Sequence, residues 1–125
     1  DKAPAGYSFP PPMDPPAEST FDRERREFLF YCLERLRKGI GESPLYIIDT
    51  SDKSILYRKD QADNRRWVLR EYGLAHRDVT VIDFESFARR TPDGRKFYLD
   101  YDDHWSPDGH AAAAGLIMQN WKWSK

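Results

Sequence analysis

Cysteine is almost absent from this chain, which has a single such residue, Cys32, among its 125 residues. One thiol excludes an intramolecular disulfide and a cysteine-rich zinc site. Cys32 falls on the apolar face of a predicted helix, so we expect it to be buried and unreactive. Long apolar runs are missing too, and no stretch approaches the roughly 20 apolar residues that a membrane-spanning helix needs.

The chain also lacks an excess of charge of either sign. Its 20 Lys and Arg residues stand against 21 Asp and Glu residues, which gives a formal net charge of −1. No global field would therefore attract nucleic acid or an anionic membrane surface, and neither is an expected partner. The chain is instead rich in aromatic residues, with seven Phe, seven Tyr and four Trp, which supply large units for a modest single core.

Proline is concentrated in the first part of the chain. Residues 1–18 hold six of the nine prolines. Because proline fixes φ and has no amide donor, we expect an extended segment or linker there. The folded region is expected over residues 19–125.

Helical and extended patterns alternate from residue 19 onwards. Ser19 or Thr20 can cap a first helix. Its apolar residues recur at spacings of three, four and seven, which predicts a buried stripe formed by Phe21, Phe28, Leu29, Cys32, Leu33, Leu36 and Ile40. Residues 44–49 and 79–84 are short β-rich apolar runs and predict two buried strands.

Three further patterns lie between and after these strands. A helix is predicted from residue 63 or 64 to Gly73, and a helical turn over residues 85–90 is followed by a turn at 91–94. The last helix is predicted to begin at Ser106. Such alternation indicates an α/β fold with a parallel sheet covered by helices. Two strands are marginal alone, so we expect the chain to be part of a larger α/β unit.

The loop before the last helix contains the densest set of reactive side chains. In an extended loop, alternate side chains share a side, so Asp102 and His104 should face each other while Asp103 points away. A carboxylate there can accept the imidazole Nδ1–H and fix the tautomer. The other ring nitrogen is then free to take a proton from a nucleophile.

A strong helix start follows this pair directly. Ser106 suits the N-cap, Pro107 the first helical position and Asp108 the first turn, while Gly109 permits close approach of the helix to its neighbours. The loop should therefore end at a fixed point, which would pre-organise His104.

The string DDHWSPDGHAA (residues 102–112) resembles the C-terminal Asp-x-His block of SGNH/GDSL-type hydrolases. Its Asp-x-His-Trp form is most similar to that of alginate O-acetyltransferase-like members. The resemblance implies that His104 is a general base and Asp102 its orienting carboxylate. It also implies a serine ester hydrolase or O-acyltransferase acting, without a cofactor, on acyl groups such as acetyl, carried by a small substrate or a glycan.

The same resemblance implies a three-layer α/β/α fold with a mainly parallel sheet, similar to flavodoxin. Residues 19–125 would be the C-terminal part of that domain, and the remainder of the domain would be their partner. An extracytoplasmic or periplasmic location is implied as well.

Other motifs of that family have no counterpart in this sequence. The Gly-Asp-Ser nucleophile block is missing, as are the Gly and Gly-x-Asn blocks that supply oxyanion donors. Asp49-Thr50-Ser51 follows a strand but lacks the glycine, which leaves Ser51 a minor candidate nucleophile. We therefore expect the serine to lie outside this sequence and the 125 residues alone to be inactive.

Two alternatives remain open at this point. Asp102, His104 and His110 could hold a metal ion in a metal-dependent hydrolase, since imidazole and carboxylate suit zinc, iron or manganese. Tyr101 and Trp105 are candidate substrate contacts, because aromatic faces beside carboxylates suit sugar rings. The chain could therefore also be a non-catalytic carbohydrate-binding module.

Overall fold

The computed structural model describes residues 19–50, 52–57 and 64–121. Its four α-helices within these ranges are α1 (Thr20–Ile40), α2 (Asn64–Ala75), α3 (Phe84–Arg90) and α4 (Pro107–Asn120). Its two strands there are β1 (Leu45–Ile48) and β2 (Val79–Ile82), and two 3₁₀ helices cover Lys53–Leu56 and Gly94–Phe97. The predicted Pro-rich segment lies outside the described residues.

The two strands form a parallel pair, and their register places Leu45 beside Val79 and Ile48 beside Ile82. Alternate strand residues enter two separate clusters, because successive side chains point to opposite faces. One cluster contains Val79 and Val81 with side chains of α1 and α2. The other contains Ile82 with side chains of α3, α4 and the second 3₁₀ helix. The chain is therefore a mixed α/β protein with helices against both faces of a small parallel sheet.

Helix α1 packs on only part of the stripe that its apolar spacing predicts. Leu33 packs against the core, but Phe28 is 66% exposed and Leu36 and Cys32 are exposed as well, so the prediction of a buried thiol is wrong. The packed face also includes Arg26, whose guanidinium lies 5.5 Å from the centroid of the Trp67 ring of α2. Long arginine stems cover apolar surface as effectively as aliphatic residues, and a count of apolar residues does not register them.

Helix α2 continues to Ala75 rather than ending at Gly73. Gly73 is buried inside the helix. An interior glycine costs a helix only about 1 kcal/mol relative to alanine, which packing against the sheet offsets. No helix in the described ranges is long and apolar enough to cross a membrane.

Helix α4 begins as predicted, with Ser106 as its N-cap. The Ser106 hydroxyl accepts the Gly109 amide at 3.2 Å and donates to the carbonyl of Lys96. Gly109 lies directly against the second 3₁₀ helix, where an added Cβ would be 2.0 Å from the carbonyl oxygen of Phe97. The start of α4 is therefore held against the second 3₁₀ helix by the Ser106 hydroxyl on the Lys96 carbonyl and by the close approach of Gly109 to the Phe97 carbonyl.

A Gly109→Ala substitution is accordingly expected to destabilise the protein by about 1–3 kcal/mol, the usual cost of overpacking. Gly115→Ala on the same helix is the matched control, since a Cβ there meets nothing within 4 Å. That control should stabilise by about 0.5–1 kcal/mol through the helix propensity of alanine. Urea unfolding followed by circular dichroism measures both, and equal midpoints for the two variants would contradict the close approach.

Candidate active site

The loop between the second 3₁₀ helix and α4 is closed at its base by backbone pairing. Tyr98 and Trp105 form an antiparallel bridge, and the Leu99 amide donates to the His104 carbonyl at 2.9 Å. The Trp105 ring packs against buried Phe84, with 4.8 Å between ring centroids. The loop thus leaves and re-enters the protein at one fixed point, which lies next to the N-terminus of α4.

Asp102 and His104 face each other at the tip of this loop. Asp102 Oδ1 lies 3.2 Å from His104 Nδ1 and also accepts the His104 amide at 2.8 Å. These two contacts hold the imidazole with Nδ1 towards the carboxylate, which favours the tautomer protonated at Nδ1. Nε2 is then the nitrogen that can accept a proton.

The amide hydrogen bond also tunes the carboxylate. It is the largest cause that lowers the pKa of Asp102. Burial acts in the opposite direction, while the side-chain hydrogen bond and charge of His104 and the charge of Lys53 lower that pKa further. Because its pKa is lowered by folding, its contribution to stability is present above the ordinary carboxyl range and is lost as the pH falls through the lowered value.

The pair is open to solvent on the side away from Asp102. The His104 side chain is 84% exposed, and that of Asp102 is 37% exposed. Across residues 19–50, 52–57 and 64–121, His104 makes no side-chain hydrogen bond other than its contact with Asp102. Asp103 is exposed and has no polar contact in that part of the chain, in keeping with its predicted outward orientation.

The two aromatic residues proposed as substrate contacts have different surroundings. Tyr101 is 82% exposed at the loop tip. Trp105 is half-buried, because its ring covers Phe84. It also packs T-shaped with the His110 ring, with 5.5 Å between the ring centroids. Trp105 therefore anchors the loop to the core. Trp121 stacks on Tyr46 of β1 at 5.0 Å, where it covers the sheet.

The alternative metal site does not assemble in the described ranges. No group of three His, Cys, Asp or Glu side chains converges there with the spacing of a metal site. His110 instead packs T-shaped with the Trp105 ring. Ser51, the minor candidate nucleophile, lies outside the described residues.

A buried ionic cluster at the carboxyl ends of the strands was not predicted. Arg66 of α2 donates two hydrogen bonds to Asp83, at 2.8 and 2.9 Å, and also pairs with Glu85 and with Asp49. Arg65 adds a 2.9 Å pair to Asp49. Asp49 directly follows β1 and Asp83 directly follows β2, and the ends of parallel strands share one edge. These two aspartates at neighbouring strand ends were the signal in the sequence from which the cluster could have been predicted.

Charge and burial compete within this cluster. Burial would lower the pKa of Arg66, but the charges of Asp83, Glu85 and Asp49 outweigh it and raise that pKa. Burial raises the pKa of Glu85, although Arg66 acts in the opposite direction. Asp83 also caps α3 by accepting the Ser86 amide at 3.0 Å. The cluster ties α2, both strand ends and α3 together.

Comparisons of the chain with models of protein families, with curated proteins and with solved structures gave no match.

Proposed function

We propose that this chain supplies the general base of a serine ester hydrolase or O-acyltransferase of the SGNH type. The observation that carries the proposal is the 3.2 Å contact between Asp102 Oδ1 and His104 Nδ1, at a loop fixed to the start of α4. It is the carboxylate–imidazole half of an acyl-transfer triad, with Nε2 accessible to a nucleophile.

In this mechanism a serine Oγ–H transfers its proton to His104 Nε2 as Oγ attacks the ester carbonyl. Asp102 stabilises the imidazolium that forms. The imidazolium then protonates the leaving alkoxide as the C–O bond breaks, which leaves an acyl-serine. Water, or an acceptor hydroxyl in the transferase case, then loses a proton to Nε2 as its oxygen attacks the acyl carbonyl. The acyl–Oγ bond breaks, and the imidazolium returns the proton to the serine Oγ.

The serine is proposed to come from another part of the same domain, folded as three layers with a larger parallel sheet. Two features support this. A two-stranded sheet is marginal alone, yet helices lie on both of its faces here. The imidazole is also far more exposed than a working base, whose partners must reach hydrogen-bond distance.

The test uses the complete domain that contains this sequence and an aryl acetate as substrate. We expect turnover, and we expect Asp102→Asn to lower kcat/KM by about 10²-fold, because the imidazole loses its orienting carboxylate. Asp103→Asn, the same substitution one residue away, should leave kcat/KM unchanged. The expected acyl group is acetyl and the expected natural substrate an acylated glycan.

Other outcomes point elsewhere. Glycan binding without turnover would favour the carbohydrate-binding module. Turnover by the isolated 125 residues, abolished by Ser51→Ala, would place the nucleophile in this sequence and contradict the proposed second half.

A further inference from the structure

Lys53 joins the first 3₁₀ helix to the loop that carries the Asp102–His104 pair. Its ammonium donates to the carbonyl of Leu99 at 3.0 Å and to the carbonyl of Asp100 at 3.2 Å. These bonds cross 46 and 47 positions of the sequence. An ammonium has three donors, so it can hold two adjacent carbonyls at once.

The two Lys53 hydrogen bonds, called the Lys53 clamp below, reach the backbone of His104 through Leu99. Leu99 is held through its carbonyl by Lys53 and through its amide by the carbonyl of His104, at 2.9 Å. A displacement of Leu99 would therefore be transmitted to the backbone of His104. Asp100, the other acceptor, is two residues before Asp102, so both members of the pair follow a clamped backbone.

The base of the clamp is itself fixed. Asp52 caps the 3₁₀ helix by accepting the Ser54 amide at 2.8 Å. Leu56, at the end of that helix, packs against the core cluster that contains Phe84. Lys53 therefore extends from a short helix that is held at both ends, by the Asp52 cap and by Leu56 in the core. The position of Lys53 is fixed independently of the loop.

We propose that Lys53 is a positioning residue that holds the Asp102–His104 loop for proton transfer, an inference that rests on the proposed function. It does not touch the reacting atoms. It stabilises the two carbonyls at the start of the loop, which precede Asp102 in the chain. Loss of the ammonium would leave both carbonyls to solvent and the loop attached mainly at its base.

The first measurement is amide hydrogen exchange by NMR in this chain, which needs no turnover. Lys53→Met should speed the exchange of the Leu99 amide on the order of tenfold, the effect of losing one charge-assisted hydrogen bond. Lys53→Arg keeps donors for both carbonyls and should retain protection. Lys38→Met, an exposed lysine in the last turn of α1, is the control and should change nothing in the loop. Unchanged Leu99 exchange in Lys53→Met would overturn the proposal.

The second measurement is aryl acetate kinetics in the complete domain. Lys53→Met should lower kcat on the order of tenfold, with a smaller change in KM, because the clamped backbone carries the base. Lys53→Arg should restore kcat. A change in KM alone would contradict a positioning role. If the unsubstituted domain shows no turnover, the proposed function fails, and the exchange result still decides whether Lys53 holds the loop.

Discussion

Replacing Arg66 by Met is expected to destabilise the protein by about 3–5 kcal/mol, the usual cost of removing one partner from a buried ionic group. Arg66 pairs with Asp83, Glu85 and Asp49, and all three carboxylates are almost completely buried. Methionine fills similar volume but offers no donor. Asp49 would keep its pair with Arg65 and Glu85 its pair with Arg89, but both of these arginines are more exposed than Arg66. Most small domains have 5–15 kcal/mol of stability in total, so the native state would be severely depleted.

The neighbouring residue provides the control for this substitution. Arg65 pairs with the same Asp49, at 2.9 Å, but its side chain is 39% exposed. Arg65→Met should therefore cost less than Arg66→Met, because Asp49 keeps Arg66 as a buried partner. Urea unfolding at neutral pH compares the two variants. Equal losses of stability would show that burial of the guanidinium is not what matters.

The pH dependence gives a second check on the same cluster. Folding raises the pKa of Glu85 through burial. The contribution of such a group is favourable at acid pH and is lost as the pH rises through its raised pKa. Removing Arg66 takes away the main opposing charge and raises that pKa further. The deficit of Arg66→Met should therefore be smaller at about pH 4.5 than at neutral pH.

Replacing His104 by Ala is expected to reduce aryl acetate turnover in the complete domain by about 10⁴-fold, the upper end of what a positioned base contributes. The reason is that Nε2 is the proton acceptor in both acylation and deacylation. Since the side chain is largely exposed, its removal should leave the free energy of unfolding nearly unchanged. The loss would then be one of chemistry rather than of folding.

Two additions make this experiment decisive. Added imidazole should restore part of the activity of His104→Ala, because the truncation leaves space beside Asp102 for a free base. His110→Ala is the matched control, since His110 is also exposed but its ring packs T-shaped with that of Trp105. Equal losses in both variants, together with a requirement for added metal, would support the metal-dependent alternative instead.

The regular elements could be predicted from the sequence because their signals are local. The apolar runs at residues 44–49 and 79–84 predicted both strands, and the capping pattern at Ser106 predicted the start of α4. The Asp102–His104 contact was also predictable, since both residues lie within three positions of one loop. The larger sheet, the acyl chemistry and the missing serine remain predictions.

The interactions that sequence reasoning missed are those whose partners lie far apart in the chain. Arg66 and Asp83 are 17 positions apart, and Lys53 and Leu99 are 46 apart. Hydrophobic periodicity predicts which face of an element is apolar, but it does not identify the polar group that pairs with a particular cation. The error on α1 has a related cause, because Arg26 occupies a packed position that apolar spacing assigned to solvent.

The closed base of the 98–105 loop has a consequence for how such a protein can diversify. The bridge between Tyr98 and Trp105 and the bond from Leu99 to His104 join the two sides independently of the residues at the tip. Each doubling of the length of a closed loop costs only about 0.6 kcal/mol. Residues beside Tyr101 can therefore be inserted or exchanged while the His104 backbone stays bonded to Leu99. An insertion between Trp105 and Ser106 would instead separate the loop from its helix.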